Sequence, residues 1–93
     1  MTRFEWDPLK AQINLRKHAV RFEDAVLVFE DPNAIFEQDR IDETGEQRWR
    51  VIGRAEGIAV LLVVHVMRQD RGGEVIRLIS ARQADRKERK GYE

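Results

Sequence analysis

Arg48, Arg50, Arg77 and Arg82 stand in short alternating stretches of the second half of the chain, and they have the most to offer chemically. A guanidinium is planar, stays charged at any working pH and can bond two phosphate oxygens at once. It therefore suits the negative charge that builds on a phosphodiester under attack. RNA cleavage asks for little more: one proton must leave the 2′-hydroxyl and another must reach the departing oxygen. His18 and Glu46 are the candidate proton carriers, histidine being the residue type whose charge changes nearest neutrality. Trp6 or Trp49 would stack on an exposed base, and Lys10 and Arg50 would hold the neighbouring backbone. Each assignment has a plainer counterpart: a tryptophan in the core, a lysine on a solvated helix face, an arginine paired with a carboxylate.

Other chemistries lack their parts. Cysteine is absent and the only histidines, His18 and His65, are far apart with no H-x-x-x-H pair, so no metal site is expected. His65 lies in an apolar strand and reads as a hydrogen-bonded sheet residue. Ser80 is the only serine and has no adjacent histidine, and no glycine-rich phosphate loop is present. No cofactor is expected.

The elements that must position these residues follow from periodicity. Arg3 to Trp6 alternates as a short edge strand, and Asp7-Pro8 starts a helix with a capping carboxylate and a proline at the first helical position. On that helix Lys10, Asn14 and Lys17 or His18 form a polar stripe. Phe22, Ala25, Val26 and Phe29 recur at helical intervals, predicting a second helix over 23–30 that Asp31-Pro32 ends. Ala34 to Gln38 reads as a strand, Asp39 to Gln47 as a polar, mobile loop, and Arg48 to Gly53 as a third strand. Ile58 to Met67 is the most apolar strand and should be central. Arg68 to Gly73 reads as a hairpin loop before the strand Val75 to Ile79, and Ser80 reads as the cap of a helix over 81–90, placing Arg82 in its first turn. The order is β-α-α-β-β-β-β-α, an α+β fold with a small antiparallel sheet and helices on one face.

Ninety-three residues make one domain, residues 1–93. The N-terminus is charged at Arg3, Glu5 and Asp7, and the run Ile58 to Val64 is too short to span a bilayer, so a cytoplasmic protein is expected. The formal net charge of +0 hides an acidic first half and a basic second half. Such a split arises from pairing within the molecule, or from a basic face for a polyanion beside an acidic face with another task.

The residues also carry a family pattern. Phe4-Glu5-Trp6-Asp7, Lys10, Asn14, Lys17-His18 and Val20-x-Phe22-Glu23-x-Ala25 resemble the opening of the BrnT family of type II toxins. Gly45-Glu46-x-Arg48, Ile52-Gly53, Ile76-Arg77-x-Ile79-Ser80-Ala81-Arg82, Glu88-Arg89 and Tyr92 resemble its second half, so the likeness spans nearly the whole chain. It implies a RelE-like fold, a metal-independent ribonuclease that arrests growth, and a BrnA-like antitoxin with a ribbon-helix-helix domain. Operator DNA would be reached only through that antitoxin, in a toxin–antitoxin heterotetramer. It further implies Arg48, Arg77 and Arg82 as active-site cations, with His18, Lys10 and Glu46 matching the pattern. Tyr92 would reach the same sheet face or staple the last helix. Arg50 and Arg54 fall outside the pattern. The rival reading is a non-catalytic RNA- or protein-binding domain, an inactive homologue acting as corepressor.

Overall fold

Asp7 starts the first helix as its sequence predicts: its carboxylate accepts from the Leu9 N–H at 2.9 Å, and Pro8 occupies the first turn. The computed structural model describes residues 1–93. Its elements are β1 (Arg3–Glu5), α1 (Pro8–His18), α2 (Phe22–Ala25) running into a 3-10 turn (Val26–Glu30), β2 (Ile35–Ile41), β3 (Gln47–Ala55), β4 (Ala59–Asp70), β5 (Gly73–Gln83) and α3 (Arg86–Tyr92). The fold is α+β in the expected order. The sheet runs β1-β5-β4-β3-β2 with the apolar β4 in the middle, also as expected.

Two features refine the expected layout. β1 pairs with β5 in parallel, making the sheet mixed, because α1 and the whole chain to β5 intervene between them. The helical layer is split. α1, α2 and the 3-10 turn cover one face, over Val51, Leu61, Val63, Ile76 and Leu78. The alternate residues Ile52, Val60 and Leu62 point the other way and pack with Ala84 and Tyr92, so α3 covers part of the second face. Phe22, Leu61 and Leu78 are almost fully buried, and burial of such side chains contributes about 1.5–3 kcal/mol each.

Several boundaries move. Ser80 is not a helix cap and Arg82 is not in a helix: β5 continues to Gln83, with Ser80 opposite Val64 and Arg82 opposite Leu62. The cap is Asp85, in a reciprocal capping box with Glu88, so the stretch Ala81 to Ala84 spends its apolar residues in the sheet and core instead. The expected loop 39–47 is a tight hairpin. Asp42 accepts from the Thr44 N–H, the Thr44 hydroxyl and the Glu46 N–H, and these bonds close the turn. Likewise β4 and β5 extend to a turn at Arg71-Gly72 rather than leaving a loop over 68–73. In the second helical segment Phe22, Ala25 and Val28 are the buried residues, a spacing of three that fits the tightening into 3-10 geometry.

Gly53 shows how closely that turn sits on β3. A Cβ there would stand 2.7 Å from a methyl of Val28 and 3.2 Å from Cβ of Ala34.

Candidate functional site

Pairing register fixes which side chains share a face, because directly opposed residues on neighbouring strands point the same way. On the face that α3 only partly covers, Val66 of β4 pairs with Arg77 of β5, and Val64 pairs with Arg50 of β3 and Ser80 of β5. Extending the Trp49–His65 pairing by one residue puts Arg48 on the other side of Val66. Arg77 and Arg48 thus flank one buried valine in a single cross-strand row, about 10 Å apart at Cα from the usual strand spacing. Arg82 lies two rows further along, opposite Leu62 and beside α3. The structure therefore brings Arg48, Arg50, Arg77 and Arg82 to one sheet face.

Every one of these arginines has an acidic neighbour. Arg77 Nη1 donates to Glu5 Oε2 at 2.9 Å, and Arg68 donates to the same oxygen at 2.9 Å. Arg48 Nε lies 3.3 Å from Asp42 Oδ2, and Arg50 Nε 3.5 Å from Glu37 Oε1. Arg82 makes a fork to both oxygens of Glu88, at 2.8 and 3.0 Å. The bond from Arg77 holds the Glu5 carboxyl below its usual range. The Arg82 fork does the same to Glu88 and raises the guanidinium in return. Asp42 is held lowest, at about 2, first by the Thr44 hydroxyl, then by the Glu46 N–H, with Arg48 adding to them. Asp42, Glu5 and Glu88 are thus fixed as anions.

A second cluster gathers on α1. Lys10, Ile13, Lys17 and His18 form a small cleft with Ile79 and Ser80 of β5. β1 pairs with β5 only as far as Arg77, leaving the β5 edge bare at Ala81. Asn14 fills that gap. Its Oδ1 accepts from the Ala81 N–H at 3.0 Å, and its Nδ2 donates to Ala81 O at 2.8 Å and to Val20 O at 3.0 Å. The side chain acts as a strand residue would, and it alone of α1 is buried, while Leu9 and Ile13 face outward. The polar stripe read from the sequence is therefore a buried anchor between exposed cations. Spacing showed the stripe but not the burial.

The remaining candidates are dispersed. Trp6 packs edge-on against Phe22, with ring centres 5.8 Å apart, as part of the core. Glu46 is exposed in the β2–β3 turn, just ahead of Arg48. Tyr92 donates its hydroxyl to Asp31 with Arg54 over its ring at 5.9 Å, an arrangement that staples α3. Trp49 lies on the opposite face from the arginines. His65, also there, is fully buried; its Nδ1 reaches Val63 O at 3.2 Å but its Nε2 has no partner. No three His, Asp or Glu side chains cluster closely enough to hold a metal ion.

The model of one protein family, described as the ribonuclease toxin BrnT of type II toxin-antitoxin systems, matches residues 6–88. Among solved structures, the crystal structure of the Brucella abortus ribonuclease toxin BrnT is similar, with 30% identity and a TM-score of 0.68. That match covers 92% of this chain and 99% of the Brucella chain. No curated protein sequence matches.

Proposed function

The chain belongs to the BrnT family of ribonuclease toxins of type II toxin-antitoxin systems, and from that premise we propose that it cuts RNA without a metal ion and so arrests growth. The observation that carries the reading is the row in which Arg48 and Arg77 flank Val66. A phosphodiester laid over the valine would have a guanidinium on either side to take up the charge of the pentacovalent intermediate. His18 lies in the cleft with Ile79 and Ser80 of β5, and Glu46 in the turn two residues before Arg48. We assign the removal and return of protons to these two, with Lys10 and Arg50 holding flanking phosphates.

Glu5 is exchangeable, and Asp42, though almost buried, engages only Nε of Arg48. Arg77 and Glu5 have side chains 37% and 35% exposed, and a pair so exposed contributes about 0–1 kcal/mol. A phosphate offers the same guanidinium more acceptor oxygens, so exchanging one exposed partner for the other costs little. Arg82 is different. Both arms of its fork are taken, and Glu88 Oε1 also accepts from the Asp85 N–H. We assign Arg82 to holding α3 and to adding charge at the margin. Trp6 and Tyr92 we assign to core and staple rather than to base stacking.

No helix is long and apolar enough to cross a membrane, and an RNA substrate goes with action in the cytoplasm. The partner proposed is a BrnA-like antitoxin with a ribbon-helix-helix domain, which would carry the toxin to operator DNA in a heterotetramer. The carboxylate beside each of Arg48, Arg50, Arg77 and Arg82 favours a second reading, a binding module that holds RNA or protein without cutting. Purified protein with end-labelled RNA in EDTA separates the two. Shortened products support the metal-independent enzyme, and an intact but shifted band supports the binder.

A further inference from the structure

A cleft of about 540 Å³ lies on the face opposite the arginines, beside the 3-10 turn. Phe4, Phe29, Phe36, Trp49, Met67 and Ile76 line it, and Glu30 and Glu74 stand among them as its carboxylates. Phe36 is 49% exposed and Met67 36%. The rings already pack against one another at tilted angles, Phe4 to Phe29 at 5.2 Å and Phe29 to Phe36 at 6.0 Å, with His65 buried beneath. Such a preformed aromatic surface binds at low entropic cost, since few side chains remain to be ordered. Phe36 belongs to β2, the last strand of the sheet, whose outer backbone groups are free to pair with an extended segment.

We propose that this cleft is where the antitoxin anchors, through a segment with apolar side chains over Phe36 and Met67 and flanking Lys or Arg beside Glu30 and Glu74. The proposal rests on the reading of the chain as a toxin with a protein antitoxin. The sign of the charge selects this occupant. RNA would bring phosphates against Glu30 and Glu74. A second copy of the chain, docked by a two-fold axis, would bring four carboxylates and no cation of the cleft lining into one interface. An apolar segment flanked by cations satisfies both the floor and the rim. The anchor lies across the sheet from Arg48 and Arg77, so antitoxin binding and RNA cutting can be lost separately.

The test titrates the full-length chain with the purified product of the reading frame adjoining its gene, and follows labelled-RNA cutting in parallel. Phe36→Asp and Met67→Glu, on different strands and checked for unchanged melting, should each weaken binding by about thirtyfold or more, while still cutting RNA as the unaltered protein does. Glu74→Lys should weaken binding and reduce its dependence on salt, and Arg77→Ala should bind normally. Unaltered binding by both folded apolar-site variants overturns the proposal. So does a dimer of the free chain that Phe36→Asp dissolves, or an RNA band shift that it abolishes. If the unaltered chain binds no adjoining product, the toxin reading itself fails. If binding behaves as expected but no RNA is cut, the anchor stands and the nuclease reading falls.

Discussion

Replacing Asn14 with alanine should loosen α1 from the sheet, and the size of the loss follows from its bonds. The side chain is 5% exposed and makes three hydrogen bonds, two of which occupy the backbone N–H and C=O of Ala81. Each is worth about 1 kcal/mol net, so removing all three should cost about 3 kcal/mol, with little water able to enter and compensate. For a domain of this size that corresponds to a fall in Tm of about 12–24 °C. Urea unfolding followed by the fluorescence of Trp6 and Trp49 measures it, and the slope m should stay unchanged if the native state remains compact. Asn14→Asp is the sharper variant. It keeps an acceptor for the Ala81 N–H but sets a buried carboxylate against two carbonyl oxygens, so at neutral pH it should cost at least as much as alanine. A loss below about 1 kcal/mol for alanine, or an aspartate variant as stable as the parent, would refute the view that Asn14 replaces the missing strand.

Arg48→Ala and Arg77→Ala should each slow RNA cutting by about 10²–10³-fold, as expected for loss of one charge-stabilising donor, with the unfolding midpoint little changed; rapid cutting by either folded variant would remove it from the site. Acid should unfold the protein partly through Asp42. Its folded value of about 2 lies below the unfolded value of about 3.9, so its contribution is complete above about pH 4 and is lost as pH falls toward 2. Asp42→Asn should therefore flatten the stability curve between those limits, while the lowered Glu5 and Glu88 carboxyls preserve some slope; an unchanged curve counts against the turn. Gly53→Ala should cost about 1–3 kcal/mol by overpacking against Val28, readable as a shift in urea midpoint, and a neutral result would mean the 3-10 turn can retreat freely.

What the sequence made legible was governed by local rules. The Asp7-Pro8 start, the apolar centre strand and the order of elements rest on capping and periodicity, which act within a few residues. Ser80 misled because cap chemistry is also local. A serine before Ala-Arg-Gln-Ala-Asp fits a cap, yet a better cap with a reciprocal glutamate lies five residues on, and β4 offers β5 partners as far as Gln83. The loop over 39–47 misled for a similar reason. Its polarity is real, but Asp42 closes a turn with it. At the site, alternation on each strand separately placed Arg48, Arg50 and Arg77 on strand faces. That those faces coincide depends on register and sheet order, which no single stretch encodes. The burial of Asn14 depends on β1 ending early, a fact about a different strand.

The charge asymmetry finds its explanation in the same pairings. Glu5, Glu37 and Asp42 come from the acidic first half, and they meet Arg77, Arg50 and Arg48 from the basic second half across neighbouring strands or a hairpin turn. The arginine face is therefore neutralised at rest, which keeps a shallow row of like charges from repelling itself and spares the folded chain that cost. A face so quenched attracts RNA only weakly at a distance. Long-range attraction falls instead to the exposed cations on either side: Lys10 and Lys17 on α1, and Arg86, Lys87, Arg89 and Lys90 on α3. On this account the two sets of cations divide the work. Helix lysines and arginines, free of carboxylate partners, gather the polyanion, and the strand arginines act only once a phosphate is close enough to displace a carboxylate. A neutral net charge is then compatible with a nuclease, because attraction depends on where the unpaired charge stands rather than on its sum.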